Sequence, residues 1–169
     1  MTFKIVFSFV ATLMLSGCVL QSSLPNFDQS QGELLLGKVG GTYTPFILDK
    51  DKWKRDGEDM KFVANGKHYV VKDKTKSDEA LFIPVLNEWW LVQFHEVGKE
   101  SGYVFANVQP DAIYIHPLAC DNLIKSDTKV AFISFKGGDC FLMPDTKVSD
   151  AKALIPAAGQ RVMKLVLKK

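Results

Sequence analysis

Between residues 42 and 167 apolar and polar side chains alternate in short runs, and clusters of Gly, Asn, Asp and Lys separate one run from the next. Successive side chains of a strand point to opposite faces, so a period of two marks strands with one buried face. The runs fall at residues 42–48, 60–73, 79–86, 89–97, 103–108, 112–118, 130–135, 140–143 and 160–167, with a further candidate at 33–39. The pattern predicts an all-β domain, an antiparallel sandwich or small barrel of about eight strands. One short helix is expected near the C-terminus, with Ser149 as its N-cap and Pro156 as its limit.

Turn chemistry refines this. Asn65-Gly66 lies between two β-prone runs and supplies the positive φ angles of a type I′ hairpin. With those two residues as the loop, Phe62 faces Tyr69 and Met60 faces Val71, and His68 falls on the opposite, solvent side. The charged stretches 49–59 and 72–79 read as solvated turns. Lys136-Gly137-Gly138-Asp139 predicts a second hairpin.

The runs 89–97 and 103–108 form a central hairpin. A five-residue loop, Gly98 to Gly102, sets His95 opposite Phe105 and Gln93 opposite Asn107. Parity then puts Trp90, Val92, Phe94, Val104, Ala106 and Val108 on a core face. The other face carries Trp89, Leu91, Gln93, His95, Tyr103, Phe105 and Asn107, and Tyr114 and His116 from the next run extend it. A mixture of aromatic and hydrogen-bonding groups suits a partner interface or a ligand pocket. We take Trp89, Gln93, His95, Tyr103, Asn107, Tyr114 and His116 as the candidate binding face. The competing expectation is that a second layer packs over it.

The N-terminus has a different pattern. A short start with one positive charge, Lys4, precedes an apolar run over residues 5–15, too short for a membrane span of about 20 residues but suited to a removed export signal. Leu15, Ser16, Gly17 and Cys18 then resemble the lipobox of bacterial lipoproteins. The resemblance covers only this segment. It implies cleavage before Cys18, acylation of that cysteine and attachment to a membrane, with two or more acyl chains giving stable anchoring. In Gram-negative bacteria an aspartate after the cysteine retains a lipoprotein in the inner membrane; Val19 stands there, so the resemblance implies the outer membrane. Three regions follow: a signal peptide at 1–17, a lipidated N-terminus and flexible tether at 18–31, and one β-rich periplasmic or surface domain at 32–169. The tether is rich in Gln, Ser and Asn, and its full extension would span roughly 40 Å.

Removing residues 1–17 from 169 leaves 152, and loss of Lys4 reduces the formal charge from +2 to +1. Such a balance gives no nucleic-acid signature. With Cys18 assigned to lipid, Cys120 and Cys140 remain as an even pair, and a disulfide is expected, stabilising the fold by about 3 kcal/mol. The rival reading is a thiol acting with the nearby His116 as an envelope hydrolase, or a zinc ligand; the third orienting group and the remaining ligands that these need are missing from the sequence. A lone histidine such as His95 lacks a titratable partner for acid–base work. The Gly-x-Trp signature of lipocalins is also missing.

The function expected is that of a non-enzymatic, lipid-anchored envelope protein, with no metal or other cofactor, that binds an envelope partner as an assembly accessory or inhibitor. The alternative is a carrier of small apolar ligands using the Trp89, His95 and Tyr103 face.

Overall fold

The computed structural model describes residues 20–35, 40–72, 77–95, 100–125 and 131–168. Cys18, the signal residues, and Gly98 and Lys99 of the Gly98 to Gly102 turn lie outside these residues.

Eight antiparallel strands close into a barrel, one of the two expected architectures. They are β2 (Gly40–Asp49), β4 (Met60–Asn65), β5 (His68–Lys72), β6 (Ser77–Leu86), β7 (Trp89–His95), β8 (Ser101–Val108), β9 (Ala112–Pro117) and β12 (Met163–Leu167). Sequence neighbours pair around the ring, and β12 shuts it by pairing β2 on one edge and β9 on the other. Closure removes the exposed edges that an open sheet would carry. Four shorter strands lie off the ring: β1 (Gln21–Ser22), β3 (Lys52–Arg55), β10 (Ile133–Lys136) and β11 (Asp139–Leu142). Residues 49–59, read as turns, thus include β3, which pairs β2. Among the described residues no helix is long and apolar enough to cross a membrane.

Side chains fill the barrel interior. Phe62, Tyr69 and Phe82 meet with ring centroids 5.7 to 6.4 Å apart, and Tyr43 packs on Phe62 at 5.0 Å. Val92, Phe94, Val104, Ala106 and Val108, the expected core face of the central hairpin, join them, with Ile113, Ile115, Met163 and Leu165 closing the ring. Trp90 packs against this cluster, only partly buried. Each fully buried aliphatic or aromatic side chain contributes about 1.5–3 kcal/mol.

A second apolar cluster covers the outer face of β6, β7 and β8. Leu81, Ile83, Leu91, Tyr103 and Phe105 point outward into it, and residues from both ends of the chain cap them. The covering layer comprises the β10–β11 hairpin, helix α1 (Cys120–Lys125), and helix α2 (Val148–Ala151), which tightens into a 3₁₀ turn through Ala157. The hairpin turns at Gly137 and Gly138, both with positive φ, as its sequence requires. The Cys120–Cys140 disulfide, Cα atoms 5.5 Å apart, ties α1 to β11.

The rest of the cover comes from the segment expected to be a flexible tether. From Leu20 onward it is docked. Strand β9 leaves β8 at Pro117, opposite Val104, and β1 takes over the vacated edge, with Gln21 opposite Gly102 and Ser22 opposite Ser101. Leu20 donates its N–H to Leu118 and accepts from Tyr103 N–H, both at 2.9 Å. Leu20 and Phe27 are buried in the outer cluster, and Asp28 caps a 3₁₀ turn at Gln29–Gln31. The chain then crosses β5 and β6, where Glu33 N–H bonds the Phe82 carbonyl, and Leu35 enters the interior cluster. Residues 20–31, expected as part of the tether, are therefore packed into the folded domain. Paired backbone and inserted apolar side chains hold down a stretch whose composition alone reads as loop.

This crossing also overturns the placement of His68. It points outward as expected, but the N-terminal segment roofs it and only 3% of its surface is exposed. Lys67 Nζ bonds the Ser30 carbonyl at 3.1 Å beside it. The β4–β5 loop is Gly66-Lys67, with Asn65 opposite His68 and positive φ at Gly66, the arrangement of a II′ rather than a I′ turn.

Candidate functional site

The central hairpin pairs with Gln93 opposite Tyr103, Trp89 opposite Asn107 and His95 opposite Ser101. All seven candidate residues lie on its outer side or on that of β9, but they separate into two groups with different fates.

Gln93, His95 and Tyr103 lie beneath or beside the N-terminal segment. Gln93 Oε1 accepts from Phe27 N–H at 3.0 Å and from the Tyr103 hydroxyl at 3.1 Å, while its Nε2 donates to the Phe27 carbonyl at 2.9 Å. The Tyr103 hydroxyl also accepts from Asn26 N–H at 3.2 Å and meets the Ser22 hydroxyl at 2.7 Å. Burial raises the Tyr103 pKa, so the phenol stays protonated and able to donate. His95 Nδ1 lies 3.1 Å from Ser101 Oγ. Gln93 and Tyr103 are thus occupied in holding the N-terminal segment, as the competing expectation of a second layer required, whereas His95 meets Ser101 of its own hairpin.

Trp89, Asn107, Tyr114 and His116 line an open cleft of about 470 Å³ with Leu48, Gln109, Gln160 and Arg161. Trp89 rests edge-on against Phe105, with centroids 6.0 Å apart, and its ring lies 4.9 Å from that of His116. His116 Nδ1 donates to the Gly159 carbonyl at 2.9 Å. Burial, opposed by that hydrogen bond and assisted by Arg161, lowers the His116 pKa below its ordinary value. The imidazole is therefore neutral near pH 7, with Nε2 as its acceptor. Arg161 lies over the Tyr114 ring at 5.0 Å, and among the described residues no carboxylate lines the cleft.

Barrel closure extends the cleft into a row. Arg55 faces Phe46, Phe46 faces Lys164, Lys164 faces Tyr114, Tyr114 faces Asn107, and Asn107 faces Trp89. Directly opposed residues share a face, so six strands present one line of outward side chains. Lys164 Nζ lies 5.1 Å from the Phe46 ring centre and 5.0 Å from that of Trp53, and Trp53 lies 6.1 Å from Tyr114. The result is a band of aromatic rings interleaved with cations, within which each ring is partly exposed. Pattern reading found Trp89, Asn107, Tyr114 and His116. It missed Gln109, which follows β8 and bonds Asn107, and Leu48, Gln160, Arg161, Phe46, Trp53 and Lys164, whose proximity depends on β12 joining β2 to β9.

Cys120 and Cys140 are bonded to one another, so neither is a thiolate available for attack or metal binding. No protein-family model matches the sequence, and no curated protein or solved structure matches it at a significant level.

Proposed function

We propose that this protein is a lipid-anchored, non-enzymatic component of the bacterial envelope, attached through Cys18, that binds a periplasmic or surface protein along the row from Arg55 to Trp89. The lipobox residues Leu15 to Cys18 support the attachment, and Val19 favours the outer membrane of a Gram-negative cell. The row itself carries the binding reading. Aromatic and arginine side chains concentrate binding energy in protein interfaces, and this row offers Trp89, Tyr114 and Phe46 with Trp53 beside them, and Lys164 and Arg161 as cations over these rings, while Arg55 at its end is paired with Asp59. A partner surface with acidic groups around an apolar centre complements it.

Photo-crosslinking in intact cells from Gln109, an exposed residue at the cleft, tests the proposal. A discrete crosslinked protein that disappears in the double variant Arg161→Glu/Lys164→Glu is the expected result. Recovery of lipid alone, or a crosslink indifferent to the charge reversal, would refute it. Filling of the barrel interior and occupation of Gln93 and Tyr103 argue against an apolar-ligand carrier using that face.

A further inference from the structure

The proposed attachment has a geometric consequence. Leu20 is fully buried and hydrogen bonded on both sides, to Leu118 and Tyr103. Only Val19 separates it from Cys18. Two peptide steps span at most about 7 Å. A lipid carried by Cys18 would therefore start within about 7 Å of the docked Leu20 backbone.

The register identifies the part of the domain nearest that point. Gln21 lies beside Phe141 in parallel alignment, so the chain reaches β1 from the side of the Gly137-Gly138 turn. On its other flank is Leu118, two residues before helix α1. The disulfide clamps these flanking elements together. Each bears an exposed apolar side chain followed by a lysine: Ile124, 61% exposed, with Lys125 on α1, and Phe135, 49% exposed, with Lys136 on β10. Apolar groups that enter the interface beside cations that meet anionic headgroups are the elements of a monotopic membrane contact.

We infer that Ile124, Lys125, Phe135 and Lys136 form a bilayer-contact surface, and that the short connection from Cys18 to Leu20 holds this surface flush with the membrane. The inference rests on acylation of Cys18. It would leave the partner-binding row close to the membrane plane, within the thickness of one barrel.

The test uses the full chain, acylated in a Gram-negative host and reconstituted into phosphatidylethanolamine/phosphatidylglycerol vesicles. A photoreactive benzoylphenylalanine replaces Ile124, Phe135 or, as control, Val63, an exposed residue on β4 on another part of the barrel. Mass spectrometry first verifies acyl groups on Cys18. Lipid adducts several-fold more abundant at positions 124 and 135 than at 63 are expected. A Gly/Ser spacer of about 12 residues between Val19 and Leu20, adding roughly 20 Å of average reach, should reduce them to the control level. Equal labelling at all three positions, no labelling with Cys18 acylated, or labelling unchanged by the spacer would overturn the inference while leaving the lipoprotein reading intact. An unmodified Cys18 would overturn both.

Discussion

Gln93 holds Phe27 by both ends of its side-chain amide, accepting from the backbone N–H at 3.0 Å and donating to the carbonyl at 2.9 Å. A side chain of the barrel wall thereby substitutes for a neighbouring strand at a point where the N-terminal segment has none. Both backbone groups are buried, and a buried backbone group without a partner costs about 1–3 kcal/mol. Gln93→Leu fills similar space but leaves Phe27 N–H, Phe27 C=O and the Tyr103 hydroxyl short of partners. Urea unfolding should show a loss of about 2–4 kcal/mol, whereas Gln109→Ala in the open cleft should stay within about 0.5 kcal/mol. Equal effects at the two sites would mean that the segment is not docked.

The docked segment makes a second, steric prediction. A Cβ on Gly32 would lie 2.2 Å from Leu81 Cδ1 and 2.7 Å from the Lys67 carbonyl oxygen. The leucine can rotate away, but the backbone oxygen belongs to the β4–β5 turn and cannot. Gly32→Ala should therefore cost about 1–3 kcal/mol, the usual penalty of overpacking. It should also increase proteolysis between residues 22 and 35 before the barrel itself unfolds, as limited digestion would reveal.

The disulfide joins two parts of the outer layer that share no strand pairing. Cys120→Ser/Cys140→Ser opens a loop with 20 residues of separation, and chain entropy alone puts the loss at about 3 kcal/mol. Because α1 and β11 cover the barrel without belonging to it, hydrogen exchange should rise first in β10, β11 and α1, with the interior-facing strands β4 to β6 retaining protection. A uniform rise would show that the cover and the barrel unfold as one unit.

These elements differ in how far the sequence foretold them. Face assignments survived errors in register. Phe62 was expected opposite Tyr69 and lies opposite Val71, with Ala64 opposite Tyr69; His95 was expected opposite Phe105 and lies opposite Ser101. Both slips are by an even number of residues, and a period of two is blind to those. The N-terminal cover was illegible for the opposite reason. Its anchors Leu20, Phe27 and Leu35 are too sparse in sequence to mark a strand or a helix face, and its polar groups find partners such as Tyr103 and Gln93 more than 60 positions away. His68 was misplaced because its burial depends on that cover. In the binding row, alternation within β7, β8 and β9 gave Trp89, Asn107 and Tyr114, but Phe46 and Lys164 join only when the barrel closes. Closure is a long-range event without a local signature.

His116 gives the pH dependence of the site. Burial depresses its folded pKa below the ordinary 6.5, despite the hydrogen bond to Gly159, and Arg161 adds to the depression. The unfolded chain therefore binds a proton more readily than the folded one, so its contribution to stability is fully present above about pH 6.5 and is lost as pH falls towards and through the folded pKa. Glutamine at this position can still donate to the Gly159 carbonyl but cannot titrate. Chemical unfolding of the wild type and His116→Gln between about pH 7.5 and pH 5 should give curves that diverge on acidification, the wild type falling more steeply. Groups shared by both proteins, among them Asp59, whose pKa is lowered chiefly by its hydrogen bonds from Lys168 and Thr44, cancel in the difference. Parallel curves would mean that the imidazole is solvated well enough to protonate without cost. In that case the cleft would acquire positive charge on acidification, and binding of an acidic partner would strengthen as pH falls.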